Sequence, residues 1–128
     1  MSDDMGTFRT DVVISNLSAR ERRIRVSNVL VDTDAELSWL PKDVLESLGV
    51  GKEKIWHFRQ ADGTVLARRT GFALIRVGEI ETPDEVVFGE LGDLVLLGSR
   101  TLEGLNVKVD PVNRLLVDAG PAPAAAAA

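Results

Sequence analysis

Cysteine is absent from these 128 residues, which removes disulfides, thiolate catalysis and cysteine-ligated zinc from consideration. Histidine occurs once, as His57. A Ser-His-Asp triad therefore has one conceivable base, and a histidine-rich metal site cannot be built within one chain. No apolar run reaches the roughly 20 residues of a membrane span. No charged-then-apolar leader opens the chain, whose first residues Met1-Ser2-Asp3-Asp4 are acidic. A cytoplasmic location is the expectation. Positive charge is also scarce. Lys and Arg number 15 against 20 Asp and Glu, a formal net charge of −5. Neither a nucleic-acid backbone nor an anionic membrane surface is expected as a partner, since both need a basic face.

The length suits one domain, expected over residues 1–118. Residues 119–128 are only Ala, Gly and Pro, cannot build a core, and read as a tail. The body reads as strands broken by turns. Residues 7–15 alternate around Phe8, Val12 and Ile14, and residues 22–31 carry Ile24, Val26 and Val29-Leu30-Val31. Pro41 suits the first turn of a helix with Val44, Leu45 and Leu48 on one face, stopped by Gly49. Residues 54–61 and 64–77 flank Asp62-Gly63, a hairpin-turn signal in which both residues are expected at positive φ. Residues 79–88, edged by Pro83, read as a further strand, and residues 94–97 as a short buried one. A short helix is expected over residues 99–105 with Ser99 as its cap, then a last hairpin turning at residues 110–113. About seven strands and two short helices place the chain in the all-β class.

Chemistry concentrates in Val29-Leu30-Val31-Asp32-Thr33-Asp34-Ala35-Glu36. Three apolar strand formers run directly into a carboxylate, a hydroxyl and two further carboxylates. An aspartate at the inner end of a buried strand is costly unless it is hydrogen-bonded or neutralised. The plain alternative is a strand ending in an acidic, solvated turn. Asp32, Asp34 and Glu36 alternate, so on an extended segment they would share a face and could offer oxygen ligands to Mg²⁺ or Ca²⁺. His57 reads as packed or solvated, Trp39 and Trp56 as core or pocket wall. Arg68-Arg69 reads as a solvated strand face, and Ser99-Arg100 as a partner for an acidic residue near the site or across a dimer.

The order of these features resembles the retroviral-type, or retropepsin-like, aspartic protease family. In that family a strand leads into Asp-Thr/Ser-Gly-Ala, here Asp32-Thr33-Asp34-Ala35. A flap hairpin follows, here around Ala61, Asp62 and Gly63. Two apolar residues, a glycine and a short helix come near the end, here Leu96-Leu97-Gly98 and residues 99–105. The resemblance covers roughly residues 7–117. It implies an all-β, closed, barrel-like domain with a short C-terminal helix, acting as a symmetric homodimer. It implies an aspartic endopeptidase in which Asp32 from each subunit forms the catalytic pair, with a peptide or protein as substrate. Two carboxylates about 3 Å apart cannot both stay ionised, so they share a proton; one activates water and the other polarises the scissile carbonyl. Thr33 is implied to bond across the dimer axis, and Leu97 and Gly98 to support the Asp32 loop. No metal or cofactor is implied. One residue departs from the family: Asp34 stands where it has glycine. That places another carboxylate beside the pair and opens an alternative, a catalytically silent dimeric peptide-binding module with the same fold.

Overall fold

The computed structural model describes residues 8–125. The acidic first residues, Thr7 and the last three alanines of the tail lie outside them. Alternation sets the first hairpin. In β1 (Phe8–Ser15) Val12 and Ile14 are buried, and in β2 (Arg23–Val31) Val29 and Val31 are. The two pair antiparallel with a register break between Thr10 and Val12. At that bulge Asn28 takes φ 60° and donates its N–H to Asp11 Oδ1 at 3.1 Å. Asp11 is held below the usual carboxylate range by Arg25 and by that N–H.

A turn after β2 leads to β3 (Ser38–Pro41) and α1 (Lys42–Ser47). Then come β4 (Lys54–Arg59), the long β5 (Val65–Val77), β6 (Ile80–Gly89) and the two-residue β7 (Leu96–Leu97). α2 (Ser99–Leu105) follows, and β8 (Val107–Asp110) with β9 (Leu115–Asp118) forms a separate hairpin. The main sheet runs β1-β2-β7-β3-β6-β5-β4, and β1 also pairs with β5. Six strands therefore close into a ring, with β4 outside it. β5 explains the geometry. Its residues 70–77 pair with β6, while residues 65–70 pair with β4. The β4–β5 ribbon thus projects beyond the ring as a two-stranded arm.

Val12, Ile14, Val31, Leu40, Ile75, Val86 and Phe88 belong to one buried cluster, joined by Leu45 of α1 and Leu102 of α2. Each such side chain stabilises by about 1.5–3 kcal/mol. Helices of 6 and 7 residues are too short to persist alone in water. These two form because their apolar faces are drawn into the cluster.

Several expectations need correction. Nine strands form among the described residues, not about seven. β3 was not foreseen: Ser38 looks like loop material, yet it is fully buried and hydrogen-bonded. Pro41 ends β3 and caps α1, and the first helical residue is Lys42. Gly49 stops α1 at φ 77°, as expected. Gly98, not Ser99, is the N-cap of α2. Of residues 94–97 only the last two are strand, and Leu94 is exposed. In the turn of the arm only Gly63 has positive φ, at 90°. Gly63 N–H bonds Gln60 O, so the turn spans Ala61-Asp62-Gly63 rather than a two-residue loop. That is the three-residue hairpin with glycine in the left-handed position, which asks no positive φ of the aspartate.

Candidate functional site

Asp32 stands one residue beyond β2, where the buried strand meets solvent. Its backbone N–H bonds Leu97 O at 3.0 Å, continuing the parallel β2–β7 ladder. Ala35 N–H closes a turn onto Asp32 O at 3.3 Å, and Asp34 N–H donates to Asp32 Oδ1 at 3.0 Å. One carboxylate oxygen thus orients the loop. Asp32 is half-buried and, among the described residues, makes no ion pair. Thr33 and Asp34 are both exposed. Asp34 avoids positive φ, so this loop does not demand a glycine at residue 34.

The loop is sewn to the start of α2. Ser99 N–H bonds Ala35 O at 2.7 Å and Arg100 N–H bonds Glu36 O at 3.1 Å. Gly98 is the point of closest approach: an added Cβ would lie 2.5 Å from Leu37 O and 2.7 Å from Glu36 O. Gly98 N–H donates to Ser38 Oγ at 3.0 Å, Ser38 meets the Thr101 hydroxyl, and Thr101 donates to Asp84 Oδ2 at 2.7 Å. This chain of bonds satisfies two buried hydroxyls. Leu97 and Gly98 thus lie directly against the Asp32 loop.

Ala61, Asp62 and Gly63 lie elsewhere, at the tip of the arm. Asp62 Oδ1 accepts from Thr64 N–H at 2.9 Å and Thr64 Oγ1 at 2.7 Å, which lowers its pKa. All hydrogen bonds of residues 60–64 stay within the tip or reach Arg59. The stem of the arm is anchored. Phe58 packs on Trp39 with ring centroids 4.8 Å apart, and Trp56 stacks on Phe58 at 5.8 Å. Arg68 forms a two-pronged pair with Asp93, Nε to Oδ2 at 2.8 Å and Nη2 to Oδ1 at 3.0 Å. Arg68 is therefore no solvated strand residue: its side chain is 17% exposed. Its guanidinium holds Asp93 below the usual carboxylate range. His57 lies exposed on the outer face of β4.

The carboxylate trio does not converge. Residues 33–34 turn rather than extend, and Glu36 pairs with Arg100 at 3.1 Å. No cluster of three or more His, Asp or Glu able to hold a metal is found among the described residues. No helix among them is long and apolar enough to cross a membrane. Sequence reasoning missed Glu85, whose side chain is 5% exposed. Oε2 accepts from Trp56 Nε1 at 2.9 Å and from Thr70 Oγ1 at 2.7 Å. Lys54 and Arg100 each approach Oε1 to 3.6 Å. The available signal was a pair of carboxylates, Asp84 and Glu85, running directly into the apolar run Val86-Val87-Phe88.

What the site can do chemically is limited by what one chain holds. It presents one half-buried carboxylate on a hydrogen-bonded loop and an exposed threonine beside it, with the β4–β5 arm as a separate two-stranded projection. General acid–base attack on a peptide needs two groups, one ionised and one protonated. Comparison with protein-family models and with curated proteins finds no match for this chain.

Proposed function

We propose that the protein is a retropepsin-like aspartic endopeptidase, active as a homodimer in which Asp32 of each subunit supplies one carboxylate of the catalytic pair. The observation that carries this reading is the setting of Asp32. Its backbone is pinned to Leu97, its Oδ1 accepts from Asp34 N–H, and the half-buried residue has no cationic partner among the described residues. A carboxylate kept half-buried and free of cations is suited to sharing a proton with a second carboxylate. Thr33, exposed beside it, would bond its mate across the two-fold axis of such a dimer. A peptide would lie extended between this loop and the β4–β5 arm, held by main-chain hydrogen bonds. The paired carboxylates would then activate water on one side and polarise the scissile carbonyl on the other.

A second reading keeps the dimer and the cleft but not the chemistry. It is favoured by Asp34, an exposed carboxylate next to Asp32 at a position the resemblance gives to glycine. Asp32→Asn tests the two together, because asparagine keeps the shape and cannot act as the ionised base. On a mixed peptide library the parent is expected to cleave and Asp32→Asn to be inert at unchanged dimer mass. Equal cleavage by both would remove Asp32 from the mechanism. Peptide binding without cleavage by the parent would establish the silent module.

A further inference from the structure

We infer that Arg100 is a positioning residue that couples the Asp32 loop to the stem of the β4–β5 arm. Its side chain is the junction of three elements. Nη2 pairs with Glu36 Oε2 at 3.1 Å, four residues along the loop from Asp32. Nη1 lies 3.6 Å from Glu85 Oε1 on β6. The guanidinium sits over the Trp56 ring of β4, 5.6 Å from its centroid, and Trp56 itself donates to Glu85.

Charge balance alone does not account for Arg100. Glu85 is buried, and a buried carboxylate is costly without a cation and hydrogen bonds. It already has Lys54, Trp56 Nε1 and Thr70 Oγ1. Glu36 is exposed enough to be solvated by water. What neither carboxylate obtains elsewhere is a tie to the other. A planar fork that meets two carboxylates and stacks on an indole supplies it, and lysine could not do all three. A displacement of Glu36 is thereby transmitted to Trp56, and through the Trp56–Phe58 stack to the arm. On the peptidase reading, which this role rests on, loop and arm would respond to substrate together. The coupling itself is measurable without substrate.

The test is hydrogen exchange on the full chain. Glu36→Gln is expected to raise exchange at residues 55–58 by roughly threefold to tenfold, within the range seen for side chains coupled through a shared partner. Exchange in the β8–β9 hairpin, with which the Arg100 side chain makes no ion pair, should not move and serves as the control for global stability. In an Arg100→Gln background the same Glu36→Gln change should add nothing at residues 55–58. Arg100→Lys, which keeps the charge, should behave like Arg100→Gln. The inference is overturned if Glu36→Gln leaves residues 55–58 unchanged, or acts equally with and without Arg100. None of these outcomes depends on peptide cleavage, so a failed peptidase reading and a failed coupling are told apart.

Discussion

Gly98→Ala isolates the brace beneath the Asp32 loop. Gly98 has φ −95° and ψ 177°, a backbone that alanine adopts without strain. The cost is therefore purely steric. The new Cβ would lie 2.5 Å from Leu37 O and 2.7 Å from Glu36 O, both main-chain atoms that no rotamer change can move. The loop and β7 must part by at least about 0.5 Å to bring that first contact to 3.0 Å. Three hydrogen bonds span the gap: Ser99 N–H to Ala35 O, Arg100 N–H to Glu36 O, and Gly98 N–H to Ser38 Oγ. At about 0.5–1.5 kcal/mol net for each bond, the expected loss is about 2–4 kcal/mol. In urea, with a slope of about 1–3 kcal/mol/M, the midpoint should fall by about 1–2 M at unchanged slope. Gly51→Ala is the control, since a Cβ there meets nothing within 4 Å. It should match the parent or gain up to about 1 kcal/mol. A Gly98→Ala midpoint indistinguishable from that of Gly51→Ala would refute the brace.

Other measurements bear on the remaining claims. Asp34→Gly should raise peptide cleavage at least about tenfold by clearing a charged side chain from beside Asp32, and should cost about 0.5–1 kcal/mol of stability, because residue 34 gains backbone freedom it does not need; unchanged rates in an active enzyme would make Asp34 a bystander. Sedimentation at micromolar concentration should report twice the chain mass, and a strict monomer at high concentration would exclude a shared catalytic pair. Asp93, depressed by Arg68, binds fewer protons folded than unfolded in the acid range, so its stabilisation is present at neutral pH and lost as pH falls from about 4 through the depressed value. Asp93→Asn should accordingly cost about 1–3 kcal/mol at pH 7 and flatten the acid limb of the stability curve; a parallel, merely lowered limb would contradict the assignment.

Strand content was legible because period-two alternation survives wherever one face meets water, as in residues 7–15. It failed where the buried face carries a polar residue. β3 sits between β6 and β7, and its Ser38 is tolerated only because Thr101 and Gly98, some 60 residues away, complete its hydrogen bonds. Arg68 and Glu85 were opaque for a related reason. A charge in a strand reads as solvated unless its partner is known, and Asp93, Trp56 and Arg100 lie in other elements. Asp32, Leu97 and Gly98 could be read together because strand end, apolar pair and glycine each carry a local signature. The Asp62-Gly63 turn was found by composition, but its length depends on register, which dipeptide chemistry does not settle.

The two-residue strand β7 has a consequence for how the molecule comes into being. Leu30 and Val31 pair with Leu96 and Leu97, and Trp39 pairs with Leu96 from the other side. Until that late segment arrives, β2 and β3 have no neighbour between them and the ring stays open. Contacts so distant along the chain form slowly. The same insertion delivers the carbonyl that fixes Asp32 N–H. Closing the ring and fixing the loop are therefore one event, and a growing chain on the ribosome cannot hold Asp32 in this setting until residue 98 has emerged. A peptide-cutting centre assembled in that order would stay inert until that segment is in place.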